Sequence, residues 1–74
     1  MYAKIEIYFK KDLGRPQFVP HYFYKTIDAV GIFECISLHT GDDDLAANVA
    51  GWADLAGVGE EYDTDDIHAE IVDE

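Results

Sequence analysis

The sequence runs out of positive charge after Lys25. Residues 26–74 contain no lysine or arginine, and the five cations, Lys4, Lys10, Lys11, Arg15 and Lys25, all precede them. Of the 16 carboxylates, all but Glu6 and Asp12 lie in that cation-free stretch, so the net charge of −11 is polarised along the chain. An anionic surface of this kind repels nucleic acid and anionic membrane and attracts basic partners. Cysteine is nearly absent too. Cys35 stands alone, which excludes the internal disulfide framework of small secreted domains and makes a reducing, cytoplasmic setting the expectation. No apolar run approaches the roughly 20 residues of a membrane span. Glu6 falls where a signal peptide would have its apolar run, so neither membrane association nor a targeting segment is expected.

Catalytic signatures are missing as well. There is no G-x-x-x-x-G-K-[ST] phosphate loop, no dinucleotide fingerprint, no nucleophile elbow and no H-E-x-x-H pair. A chain of 74 residues also has little room for a ligand pocket, which normally occupies about 300 Å³ or more. The expectation is a protein that is not an enzyme and holds no cofactor.

What the chain does have is apolar and aromatic side chains. They make up 49% of the residues and include ten aromatics, too many for a disordered chain despite the charge. At this length one small core is the whole structure, so residues 1–74 are expected to form a single domain. Self-repulsion opposes its compaction, and a homodimer would be an economical way to bury more apolar surface.

Residues 2 to 10 alternate strictly, with Ala3, Ile5, Ile7 and Phe9 against Tyr2, Lys4, Glu6, Tyr8 and Lys10, the period-2 pattern of a half-buried strand. Lys11 to Pro20, with Gly14, Pro16 and Pro20, reads as an irregular connection. The segments His21–Ile27 and Ile32–His39 are rich in β-branched and aromatic residues without a clean helical stripe. They read as two strands joined by an Asp28-Ala29-Val30-Gly31 turn, with one helix over 26–38 as the alternative. Thr40 to Asp44 supplies a cap and first-turn acids. Leu45, Val49, Trp52 and Leu55 or Ala56 then recur at helical spacing, predicting an amphipathic helix that ends near Gly57. Val58–Asp66 reads as an acidic connection, and 67–72 alternates again as a closing strand. The predicted fold class is α+β: a two-layer domain of order βββαβ, a mainly antiparallel sheet under one helix, with the sheet's other face open. That open face would be mildly basic and aromatic.

Three site chemistries read poorly. Cys35 and His39, if on a strand, stand about 13 Å apart, too far to share an ion. An EF-hand begun at Asp63 would place Ile67 and His68 where an acid and a glycine belong. An aromatic platform of Tyr2, Tyr8, Tyr22 and Tyr24 with Lys4, Lys10 and Lys25 would suit single-stranded nucleic acid, but the field of 16 carboxylates opposes every phosphate. No metal site and no direct nucleic-acid binding are expected.

The remaining candidate is the acidic surface. Residues 1–39 are nearly neutral, whereas 40–74 hold only acids, which argues for a directed surface rather than general solubility. In size and charge the chain resembles the acidic nucleic-acid mimics that viruses and mobile elements use against restriction or CRISPR effectors, a resemblance of type that no motif carries. It implies a phage or mobile-element inhibitor that occupies the basic surface of a nucleic-acid-handling enzyme. The candidate contact residues are Asp42, Asp43, Asp44, Asp54, Glu60, Glu61, Asp63, Asp65 and Asp66, acting as phosphate substitutes toward guanidinium and ammonium groups. Of these, the run from Glu60 to Asp66 has the least structural reason to be acidic. The alternative function is a small assembly module that self-associates through its sheet, with acidity serving solubility.

Overall fold

The computed structural model describes residues 3–12 and 20–73, the side chain of Asp12 excepted. Tyr2 and most of the predicted Lys11–Pro20 connection, including Gly14, Arg15 and Pro16, lie outside the described residues. The first alternating segment forms strand β1, Lys4–Phe9, and the last forms β4, Ile67–Val72. They pair antiparallel in a register that sets Ile5 opposite Ile71, Ile7 opposite Ala69 and Phe9 opposite Ile67. Each of these six side chains is at most 2% exposed. This is the expected consequence of two period-2 patterns brought into phase, since a one-residue slip would turn every apolar side chain to the other face.

β1 continues into a single 3-10 turn, Lys10–Asp12, and β2, His21–Tyr24, pairs with its outer edge. Here the structure departs from the predicted order. Residues 21–40 are not a hairpin: after β2 the chain turns and forms helix α1, Ala29–Thr40. The α+β class holds, but the order is ββααββ, with two helices rather than the one of βββαβ. α1 escapes a pattern reading because its outward side is also apolar: Val30 and Leu38 are 71% and 83% exposed, while Ile32 and Ile36, one helical turn apart, are fully buried. Gly31, expected to close a turn, instead faces the β2 side chain Phe23. A Cβ at residue 31 would stand 3.3 Å from Phe23 Cδ1 and Cε1, so glycine lets the helix approach the sheet. Asp28 ties the junction, its Oδ2 accepting from Tyr24 N at 2.9 Å while its own N–H donates to Tyr24 O at 3.1 Å. Gly41, at φ 71°, ends α1 in the left-handed conformation and donates its N–H to Ser37 O.

The second helix, α2, spans Asp43–Leu55, as its cap, first-turn acids and apolar spacing predict. Asp42 is its N-cap, accepting from Leu45 N at 3.0 Å. Leu45, Ala46, Val49, Ala53 and Ala56 are buried, and of the two candidates at the end of the stripe it is Ala56 that packs while Leu55 is exposed. The acidic connection also contains an unforeseen strand, β3, Glu61–Asp63, three residues on the outer edge of β4. The full sheet runs β2-β1-β4-β3, antiparallel throughout. Both helices contribute to the core on one side, with Trp52 of α2 reaching Tyr62 of β3 at 5.4 Å between ring centroids. No described helix is long and apolar enough to cross a membrane.

Ile36 and Leu38 would share a face in a strand and lie on opposite sides of a helix. Ile36→Ala is therefore expected to destabilise by about 2–5 kcal/mol as a cavity in the core, and Leu38→Ala to change stability by no more than about 0.5 kcal/mol. Urea unfolding of the two variants tests this; equal losses would restore the hairpin.

Candidate functional site

Because β1 and β4 bury one side only, their charged residues share the opposite, uncovered face. Register places Tyr22, Glu6, Glu70 and Glu61 in one row across all four strands, and Tyr8, His68 and Asp63 in the next. Ile5 and Ile7 are fully buried, so this face is the open one, but it is not the basic, aromatic surface expected from β1 alone. β3 and β4 add Glu61, Asp63 and Glu70 to it. Glu6 accepts from Tyr22 Oη at 2.6 Å, and Tyr8 also hydrogen-bonds to it. That bond, with burial and the charge of Glu6 adding to it, pushes the Tyr8 ionisation up to about 12 from 10.0. Lys4 lies 5.0 Å from the Tyr24 ring centroid, a cation–π contact on the same face.

His68 is the centre of the acidic half. Its Nδ1 lies 3.0 Å from Asp63 Oδ1 and its Nε2 3.2 Å from Glu61 Oε1. Asp63 also takes Lys10 Nζ at 3.0 Å, and these hydrogen bonds, first from Lys10 and then from His68, hold its carboxyl below the usual range. One ligand atom from each of Glu61, His68 and Glu70 falls within 4.8 Å of the others, which makes them the one group among the described residues able to hold a metal ion together. Sequence reading passes over this group because Glu61 reaches the other two only through the β3–β4 pairing.

The earlier metal candidate rearranges. On helix α1 Cys35 and His39 are one turn apart rather than about 13 Å apart, and Sγ lies 3.9 Å from Nδ1. His39 Nδ1 donates to Cys35 O at 2.8 Å, so that nitrogen carries a proton, and burial raises the thiol pKa, so Cys35 is not a ready thiolate ligand. The His39 ring instead stacks on Phe9 at 4.4 Å and meets His21 edge-on at 5.1 Å.

The nine candidate partner contacts divide by position and by occupation. Phe9 stacks on His39, and Lys10 N donates to Asp66 O at 2.9 Å, so the end of β1, the β3–β4 turn and the α1–α2 junction meet at one end of the sandwich. That end collects Asp42, Asp43, Asp44, Asp63, Asp65 and Asp66. Lys25 donates to Ala53 O and Asp54 O, at 3.3 and 3.1 Å, which puts Asp54 at the opposite end beside the β2–α1 turn. Glu60 also lies toward that end, its backbone bonded to Ile71 and its carboxylate accepting from Gly57 N at 2.5 Å. Asp42 is consumed as a cap, and Asp43 accepts from Ser37 Oγ at 2.5 Å. Glu61 and Asp63 bracket His68. Structural roles thus exist for Glu60, Glu61 and Asp63, while among the described residues the carboxylates of Asp44, Asp54, Asp65 and Asp66 meet no donor. Compared with family models, with curated proteins and with solved structures, the chain matches none.

A raised tyrosine pKa means that the Tyr8–Glu6 bond contributes fully to stability below pH 10.0 and that this contribution is lost as pH rises toward about 12. Glu6→Gln should shift Tyr8 ionisation back toward the ordinary tyrosine value and remove this part of the alkaline instability, as read by tyrosinate absorbance. An unchanged titration would mean that Glu6 does not hold the phenol.

Proposed function

We propose that the chain is a non-enzymatic acidic binding protein that occupies a basic, nucleic-acid-binding surface of another protein. The observation that carries this reading is the gathering of Asp44, Asp65 and Asp66, distant in sequence and unpartnered among the described residues, at one end of the sandwich beside Asp42 and Asp43. The described cations nearest that end are already engaged: Lys10 with Asp63, and Lys11 Nζ with His39 O at 2.6 Å. Carboxylates grouped in this way present spaced negative charges to guanidinium groups, which bind carboxylate and phosphate in the same forked geometry. The use would be inhibition of a nucleic-acid-handling enzyme, of the kind that phages and mobile elements direct at restriction or CRISPR effectors.

A second reading has its own support. Ile27 just before α1 and Val30 and Leu38 on its outer side are 66%, 71% and 83% exposed, with the exposed Glu34 between the last two, and β2 and β3 are the edge strands of the sheet among the described residues. Such surfaces favour self-association.

The combined variant Asp65→Lys, Asp66→Lys separates the two, because neither carboxylate accepts a hydrogen bond among the described residues and neither lies on a helix, whereas a lysine for Asp44 in the first turn of α2 would oppose the helix dipole. It should keep the wild-type thermal midpoint and lose the partner that the wild type captures from lysate. The wild-type association rate should fall steeply with ionic strength. Retention of the same partner by the variant, or a salt-insensitive rate, would refute the charge reading. A stable homodimer in sedimentation that Leu38→Ala disrupts would favour the assembly module.

A further inference from the structure

Three carboxylates stand abreast on the open face. Glu6, Glu70 and Glu61 are direct cross-strand neighbours, from β1 to β4 to β3, and the fourth member of that row is Tyr22. Like charges set directly opposite destabilise a sheet, and a row of acids without a cation of its own is a poor way to hold an edge strand only three residues long. The acids here do not stand alone. An imidazole nitrogen faces into them, and its other nitrogen is fixed from behind.

We propose that Glu61, His68 and Glu70 form a site for one divalent transition-metal ion of the zinc class, which fastens the edge strand β3 to β4. The ligand atoms already lie within 4.8 Å of one another, close to the separations that ligands 2.0–2.2 Å from a common ion require (roughly 3–4 Å), so modest side-chain rotation completes the geometry. Asp63 supplies the supporting contact: its Oδ1 accepts the Nδ1 proton at 3.0 Å, so Nε2, which donates to Glu61 Oε1 at 3.2 Å, is the nitrogen an ion would take in place of the Nε2 proton. Lys10 anchors Asp63 in turn and keeps that carboxylate out of the coordination sphere. One imidazole with two carboxylates, on two paired strands, suits zinc and its neighbours, whereas calcium and magnesium need six or more oxygen ligands. The protein supplies three ligands, so the remaining coordination falls to solvent or to a ligand from outside. The inference stands independently of the partner reading, since none of Asp44, Asp65 and Asp66 takes part.

The test titrates Zn²⁺ into the full chain against a chromophoric zinc indicator and follows the histidine ring signals by NMR. Saturation at one ion per chain, a shift of the His68 ring with His21 and His39 unmoved, and a raised thermal midpoint are expected. His68→Ala and Glu70→Gln should abolish binding, with Glu61→Gln as a second ligand variant should either misfold. Asp63→Asn should weaken binding about 10- to 100-fold, while Cys35→Ser and an excess of Mg²⁺ should change nothing. Binding that never saturates at one ion, survives His68→Ala, or disappears in Cys35→Ser would overturn the proposal.

Discussion

The structure depends on a core that is closed on one side only. β1 and β4 each place alternate residues on the helix side, and their register matches apolar to apolar at Ile5–Ile71, Ile7–Ala69 and Phe9–Ile67. Among the described residues thirteen apolar side chains make up the buried core, and no polar or charged one joins them. In a chain with 16 carboxylates that separation leaves the described acids to the open face, the outer side of α1 (Glu34), the ends of the helices and the loops. The placement of the surface charge is thus a consequence of the packing pattern.

The parts legible in the sequence are those where a single period governs the segment. β1, β4 and α2 each have one buried face and one polar face, and their positions follow from Ile5, Ile7, Ile71, Leu45 and Val49 directly. α1 fails that test because Val30 and Leu38 put apolar side chains on its solvent side and because β-branched residues raise its strand propensity. Burial of Ile32 and Ile36 against the sheet and closure by Gly41 decide for helix, and both depend on tertiary contact. β3 fails for the opposite reason: Glu61 and Asp63 are poor strand formers, and only Tyr62 packing on Trp52 and the waiting edge of β4 make them a strand. The Glu61–His68–Glu70 group was illegible for the same cause, since without β3 its first member has no neighbours.

The local use of the few cations sharpens the acidity of what remains. Lys25 spends its charge on the carbonyls at the end of α2, where a positive group complements the helix dipole. Lys11 does the same for α1 through His39 O, and Lys10 goes to Asp63. Each is thereby a fold element as well as a charge. The acids are not matched one for one: Asp44 serves the first turn of α2, and Asp54, Asp65 and Asp66, whose carboxylates meet no donor among the described residues, are exposed.

The asymmetry along the sequence becomes an asymmetry across the sheet. Lys4 and the tyrosines of β2 occupy one side of the open face, whereas β4 and β3 bring Glu70, Glu61 and Asp63 to the other, with Glu6 and Glu70 meeting at the central seam. A basic surface approaching the open face squarely would meet both signs of charge. Approaching from the end where α2 begins and the β3–β4 turn closes, it meets Asp42, Asp43, Asp44, Asp65 and Asp66, with Lys10 and Lys11 already committed to internal acceptors. Steering depends on the field along the approach rather than on total charge. The end of the sandwich, and not its flat face, is therefore where unmatched negative charge is concentrated, while the flat face holds His68 and the carboxylates around it.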